Sequence, residues 1–246
     1  MFYQRLDNIL IQHGFCSKRT VKNFIKNNSV FVNASQVFDS KIYINTEKDS
    51  IVIEENVLKI SHLYLMMNKP AGFVCSSVSD RSFVIYNLLE KYKTNPLFKN
   101  LHSIGRLDKD TEGLLLFTTN GDFSNFITRK DNEITKKYYV ELAKVVSKEN
   151  QNDFVKQFQK GIFVPQKKKS NSFMTKPALL EWISEKSCYI TITEGKFHQI
   201  KRMINVIQND VTYLKRVAIG SLFLDDSLKQ GEVKKISKND IENLLK

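Results

Sequence analysis

The sequence is poor in the residues that staple a small fold or hold a metal. Only three of its 246 residues are cysteine, Cys16, Cys75 and Cys188. They are far apart, odd in number and never spaced C-x-x-C, which argues against both a disulfide framework and a zinc ribbon. Its four histidines, His13, His62, His102 and His198, show neither H-x-x-x-H nor H-E-x-x-H spacing, so no two imidazoles are offered to one ion and no metal is expected. Nine glycines include no G-x-G, which removes the phosphate-cradling loop that a nucleotide cofactor or a methyltransferase requires. No apolar run approaches the roughly 18 residues of a membrane span. The opening MFYQRLDNIL lacks the sections of a signal peptide. The expectation is a soluble, cytoplasmic protein without membrane association, monomeric by default.

Acid is the next scarcity. Between Asn8 and Phe38 there is no Asp or Glu, while Lys18, Arg19, Lys22 and Lys26 gather there. Over the whole chain 38 Lys and Arg stand against 26 Asp and Glu, a formal net charge of +12. A basic surplus of this size raises association with phosphate backbones, although it says nothing of chemistry. A charge run is usually a solvated helix face; the length of the acid-free stretch favours phosphate contact instead.

Within residues 1–60, Leu6, Ile9 and Leu10 have helical spacing up to Gly14, and Ser17 is placed to cap a second helix that turns Val21, Phe24 and Ile25 inward. Short strands then flank Asn33-Ala34 and include Ile51 to Ile53. From Leu63 on, strand-like runs predominate at 63–67, 73–75, 114–119, 138–142, 179–183, 188–193 and 213–219. Helical patterns fall at 83–92, 124–128, 149–160, 197–207 and 240–245. Irregular order and long connections predict a mixed α+β sheet rather than a regular βαβ array. The basic stretch Gln166 to Ser172 suits RNA contact and plain solvation equally.

Three segments carry candidate chemistry. In GRLDKDTEGLLLFT, Gly105 to Thr118, a charged turn precedes a short apolar run, so a carboxylate is presented at the mouth of a buried strand. Asp108, Asp110 and Glu112 alternate as in a calcium loop, but the position that needs a bidentate Glu is Thr119, which excludes that reading. In TEGKFHQIKRM, Thr193 to Met203, a helix turns Phe197, Ile200 and Ile204 inward and sets His198, Lys201 and Arg202 on one basic face. In TKKYYV, Thr135 to Val140, Tyr138 and Tyr139 must face opposite sides of a strand, so one ring can be core while the other lines a cleft.

Together these segments resemble the RsuA type of pseudouridine synthase, the small-subunit ribosomal RNA enzymes, over nearly the whole chain. RLDNIL and HGFCSKRTVKNFIKNNSVFVN are similar to the alpha-L RNA-binding motif, with Asn28 and Ala34 standing where that motif has glycines. MNKPAGFVCS (Met67 to Ser76), GRLDKDTEGLLLFT, KKYYV, TKPALLEW (Thr175 to Trp182) and EGKFHQIKRM follow the family's order. The VCS and TKPALLE stretches are more like the small-subunit enzyme than its large-subunit relatives. The resemblance implies an α+β protein with an alpha-L RNA-binding domain at 1–60 and a mixed, largely antiparallel-sheet catalytic domain at 61–246. It places the catalytic aspartate at Asp108, the active-site tyrosine at Tyr138 and the cation paired with the aspartate at Lys201. A buried carboxylate resists ionisation, and such a cation offsets that cost. Arg106, His198 and Arg202 would hold RNA beside the site, and Arg5, Lys18, Arg19, Lys22 and Lys26 would hold it in the N-terminal domain. No cofactor is implied, because the isomerisation changes no oxidation state. The partner would be 16S ribosomal RNA or an assembling small subunit. The alternatives are a 23S-specific enzyme of the same family, and a non-catalytic ribosome-assembly factor, against which intact Asp108, Tyr138 and Lys201 speak.

Overall fold

A computed structural model of the chain describes residues 3–46, 48–76, 83–167 and 171–244. Two compact units are present.

The first unit comprises Met1–Leu63 together with Tyr92–His102 and Thr118–Phe123, so the expected boundary near residue 60 lies close by, but the unit also takes in two later segments. Strand β1 (Tyr3–Arg5) leads into helix α1 (Leu6–Gln12), and helix α2 (Val21–Asn27) precedes β2 (Val30–Val32) and β3 (Ser35–Gln36). β4 (Tyr43–Asn45) pairs with β1, while β5 (Ile51–Ile53) and β6 (Asn56–Leu58) complete a four-stranded sheet ordered β3-β2-β5-β6. Leu6, Ile9 and Leu10 of α1 and Val21 and Ile25 of α2 are buried against Val30, Ile44, Ile51 and Ile53, as their helical and alternating spacing dictates.

Two local expectations meet a different backbone here. Thr20, not Ser17, occupies the cap position of α2, and the Ser17 carbonyl instead accepts from Thr20 and Val21 in the turn before it. Asn28 is extended at φ −122°, so nothing there requires glycine. Ala34 does carry strain: with Val32 facing Ser35, Asn33 and Ala34 form a two-residue hairpin loop at φ 49° and 65°, the left-handed pair that such a loop demands.

After Leu63, β7 (Tyr64–Lys69), β8 (His102–Ile104) and β9 (Glu112–Thr118) precede helix α3 (Gly121–Thr128) and β10 (Lys136–Leu142), most of their residues in the second unit. Helix α4 (Lys148–Lys160) starts on a Ser147 cap and stops at Gly161. Then come β11 (Phe163–Val164), β12 (Phe173–Met174), β13 (Leu179–Trp182), β14 (Ser187–Ile192), helix α5 (Gln199–Val206), β15 (Val211–Ile219), β16 (Leu222–Phe223), β17 (Val233–Lys235) and helix α6 (Lys238–Leu244). One mixed sheet runs β13-β14-β10-β15-β9-β7-β17, with β16 and β8 paired at its side. β15 and β9 are parallel; β13-β14, β14-β10, β10-β15 and β7-β17 are antiparallel.

Every residue of β9 is buried, as its apolar run predicts for a central strand. Gly113 makes the parallel contact possible: at φ 97°, a Cβ there would lie 2.3 Å from the Arg216 carbonyl oxygen. The expected strand at 73–75 shrinks to a single bridge between Val74 and Val84. The helix expected at 83–92 is a kinked 3₁₀ segment at Ile85–Tyr92. Part of the basic stretch 166–172 lies outside the described residues.

Candidate active site

The turn from Gly105 to Thr111 is tied down from below by one lysine. Lys69, at the end of β7, is completely buried, and its Nζ donates to the carbonyl oxygens of Pro70 (3.0 Å), Asp108 (3.1 Å), Lys109 (3.4 Å) and Thr111 (2.8 Å). Burial pushes its pKa down, and the carboxylates of Asp110, Glu112 and Asp108, with Cys75, pull it partly back. The Leu107 amide donates to Cys75 Sγ, and the Gly72 amide to the Lys109 carbonyl. The loop that carries Asp108 is therefore held from below through its backbone groups.

That loop borders a cavity of about 540 Å³, which Asp108, Arg106, Tyr138, Phe197, His198 and Lys201 all line. Tyr138 is mostly buried, with its neighbour Tyr139 on the opposite side of β10 against the rings of Tyr189 and Tyr213, as strand alternation requires. A register shift between Lys137 and Tyr138 sits directly before the cavity-facing ring. Such bulges re-aim side chains where strands meet a site. Arg106 is exposed on the cavity's rim.

Cation partners differ from expectation. Lys201 Nζ lies 2.5 Å from Asp110 Oδ1, not on Asp108, so the expected pair is corrected. Lys201 falls in the first turn of α5, facing the outer, more exposed carboxylate of the loop. Burial alone would raise the Asp110 pKa; the hydrogen bond and charge of Lys201 outweigh it and hold that carboxyl below its ordinary value. Beside Asp108 itself stands His198, whose Nε2 is 3.6 Å from Asp108 Oδ1.

The basic face expected of His198, Lys201 and Arg202 is likewise corrected, because α5 begins at Gln199. His198 precedes the helix in the left-handed region (φ 49°), and Phe197, expected inward, is 61% exposed. Arg202 is buried: its Nη2 donates to the Pro165 and Asn171 carbonyls at 2.8 Å, and its guanidinium lies over the Phe173 ring. It braces the chain against α5 and offers no charge to a ligand. In the first unit, Lys18, Arg19, Lys22 and Lys26 are exposed, whereas Arg5 is engaged by Asp7 through Nε (3.1 Å) and Nη2 (2.5 Å). Sequence reading assigned no role to Lys69. Its only signal was a lysine closing an apolar run, LYLMMNK, where a surface strand would alternate.

No helix among the described residues is long and apolar enough to cross a membrane. The family described as RNA pseudouridylate synthase matches residues 63–206. The ribosomal small subunit pseudouridine synthase A of Escherichia coli (strain K12) is 35% identical, over 98% of this chain and the full length of that protein. Its Haemophilus influenzae counterpart is 34% identical over the same shares. An uncharacterized RNA pseudouridine synthase of Bacillus subtilis (strain 168), YtzG, is 32% identical over 98% of each chain. A solved crystal structure of a pseudouridylate synthase aligns with a TM-score of 0.65 and 34% identity, over 98% of this chain and 99% of that one.

Proposed function

Because this chain belongs to the RNA pseudouridylate synthases, as an enzyme of the RsuA type, we propose that it isomerises one uridine of 16S ribosomal RNA, with Asp108 as the attacking carboxylate. The observation that carries this reading is that Asp108, Tyr138 and Lys201, far apart in sequence, line one cavity. Its volume suits a single nucleotide. A uracil stacked in folded RNA cannot reach such a cavity, so the target is swung out of its stack first.

The reaction breaks the bond from ribose C1′ to uracil N1, turns the ring and rejoins it through C5; the C5 proton is lost and N1 gains one. Asp108 adds to C1′ as the bond to nitrogen breaks, and is displaced when C5 attacks. Tyr138 lies against the base and brings its hydroxyl to the proton transfers. Lys201 contributes through Asp110, holding the catalytic loop against α5. The rival route, in which Asp108 removes the C2′ proton, uses the same carboxylate and would give a primary isotope effect with deuterium at C2′. Exposed Lys18, Arg19, Lys22 and Lys26 make the N-terminal unit an alpha-L RNA-binding module, and an enzyme of this kind works in the cytoplasm on ribosomal RNA or an assembling subunit.

Asp108→Asn keeps the shape and removes the charge. The variant is expected to form no pseudouridine, measured as tritium release from 5-tritiated uridine RNA, while binding RNA within about twofold of wild type. Normal turnover by Asp108→Asn would remove the assignment. A non-catalytic assembly factor would release no tritium even as wild type.

A further inference from the structure

The turn from Glu194 to Gln199 displays an aromatic ring to solvent at the mouth of the cavity, and it does so from a rigid base. Gln199, itself buried, accepts the Lys196 amide on Oε1 (2.9 Å) and donates from Nε2 to Glu194 Oε1 (2.7 Å). The Lys176 amide donates to the same Glu194 oxygen. His198 is held in a left-handed conformation that costs a non-glycine residue about 1 kcal/mol. Strain of this kind persists where the surroundings over-determine it, and it concentrates at functional sites. The kink throws Phe197 off the inner face of α5. Its ring lies on the imidazole of His198 with centroids 3.9 Å apart and planes 17° from parallel.

One face of the Phe197 ring is thus covered by His198, and the residue remains 61% exposed. His198 reaches inward to within 3.6 Å of the Asp108 carboxylate, so the two stacked rings run from the reacting carboxylate outward to the rim. Arg106 stands on the same rim, where it can take a phosphate. A flat, apolar, pre-oriented ring lining a cavity that a cation also lines has the make-up of a stacking platform for single-stranded nucleic acid. Packing against a protein partner would not require the ring to be stacked in line with the catalytic carboxylate.

We propose that Phe197, backed by His198, stacks the nucleobase adjacent to the target uridine, so that the enzyme engages its substrate with that neighbour already unstacked. This inference rests on the reading of Asp108 as the reacting carboxylate and goes beyond it, by naming how the flanking nucleotide is held. It makes Phe197 a positioning residue rather than a catalytic one.

The test uses the full-length protein and a 16S ribosomal RNA fragment in which wild-type enzyme has been shown to form pseudouridine, with 2-aminopurine placed on either side of that uridine. Wild type and Asp108→Asn should quench one of the two probes on binding, as should Phe197→Trp. Phe197→Ala should bind without quenching and show a KM raised about tenfold or more, the usual worth of one stacked base, with kcat changed much less. An abasic site at the quenched position should impose the same loss on wild type and almost none on Phe197→Ala. Quenching that persists in Phe197→Ala, or an abasic penalty equal in both enzymes, would overturn the platform. Failure of any fragment to be modified by wild type would instead count against the catalytic reading.

Discussion

At the scale of single residues, the buried Lys69 and the half-buried Lys136 have opposite uses. Lys69 satisfies four carbonyl oxygens at once, three of them on the loop that bears Asp108. Removing the ammonium leaves the Lys109 and Asp108 carbonyls their Gly72 and Thr111 amide donors, but takes the donor from the Pro70 and Thr111 carbonyls, at about 1–3 kcal/mol each before relaxation. Lys69→Met should therefore lower unfolding free energy by about 3 kcal/mol in urea melts. It should also lower kcat far more than RNA affinity, because a loop displaced by about 1 Å can cost about a hundredfold in rate. Lys136 has no such network. Among the described residues its Nζ donates to the Ile134 carbonyl, and burial together with the charge of Arg216 lowers its pKa from 10.5 to about 8. Below pH 8 the folded protein carries that charge at a cost; between 8 and 10.5 the unfolded chain holds the proton and the folded one does not, so stability rises with pH. Lys136→Met should be more stable than wild type at pH 7, with the advantage shrinking steadily in melts taken from pH 8 to pH 10.

At the scale of elements, the loop that bears Asp108 and α5 are joined across 91 residues of sequence by Lys201 and Asp110. The pair is too exposed to contribute more than about 1 kcal/mol to folding, so its worth lies in registering the loop against the helix. Lys201→Met and Asp110→Asn should each leave the melting temperature nearly unchanged and lower kcat by one to two orders of magnitude, and the double variant should lose little beyond either single one. A much larger loss in Lys201→Met alone would mean that its charge acts on Asp108 directly. In the N-terminal unit the hairpin at Asn33-Ala34 shows the converse: the strands flanking it are well patterned, and they hold an alanine in a conformation that its own chemistry opposes.

At the scale of the molecule, the surplus of twelve positive charges is unevenly spread, and one concentration of it is the exposed set Lys18, Arg19, Lys22 and Lys26. If these meet phosphates, their replacement by glutamine should weaken RNA binding and flatten the slope of log affinity against log salt by up to about 3, roughly 0.7 for each contact with a single strand. An unchanged slope would assign the grip to the catalytic unit.

Much of this arrangement is legible in the chain. The charged turn ahead of LLLFT predicts a carboxylate at the mouth of a buried strand, and the adjacent tyrosines predict one ring on each side of a sheet, because hydrophobic period and strand alternation are local properties. The long acid-free stretch likewise marks the basic helix α2 and the turn before it. What periodicity does not carry is phase. No Ser, Thr, Asp or Asn marks the start of α5, so the helix that spacing begins at Phe197 actually begins at Gln199, and Phe197 and Arg202 exchange their expected places, the one exposed and the other buried. Nor can sequence say which acid a given cation meets, since that depends on distances closed only when the loop and α5 come together. Lys201 therefore found Asp110, His198 came to stand beside Asp108, and Lys69, marked in the sequence only as the close of an apolar run, became the residue on which the loop bearing Asp108 rests.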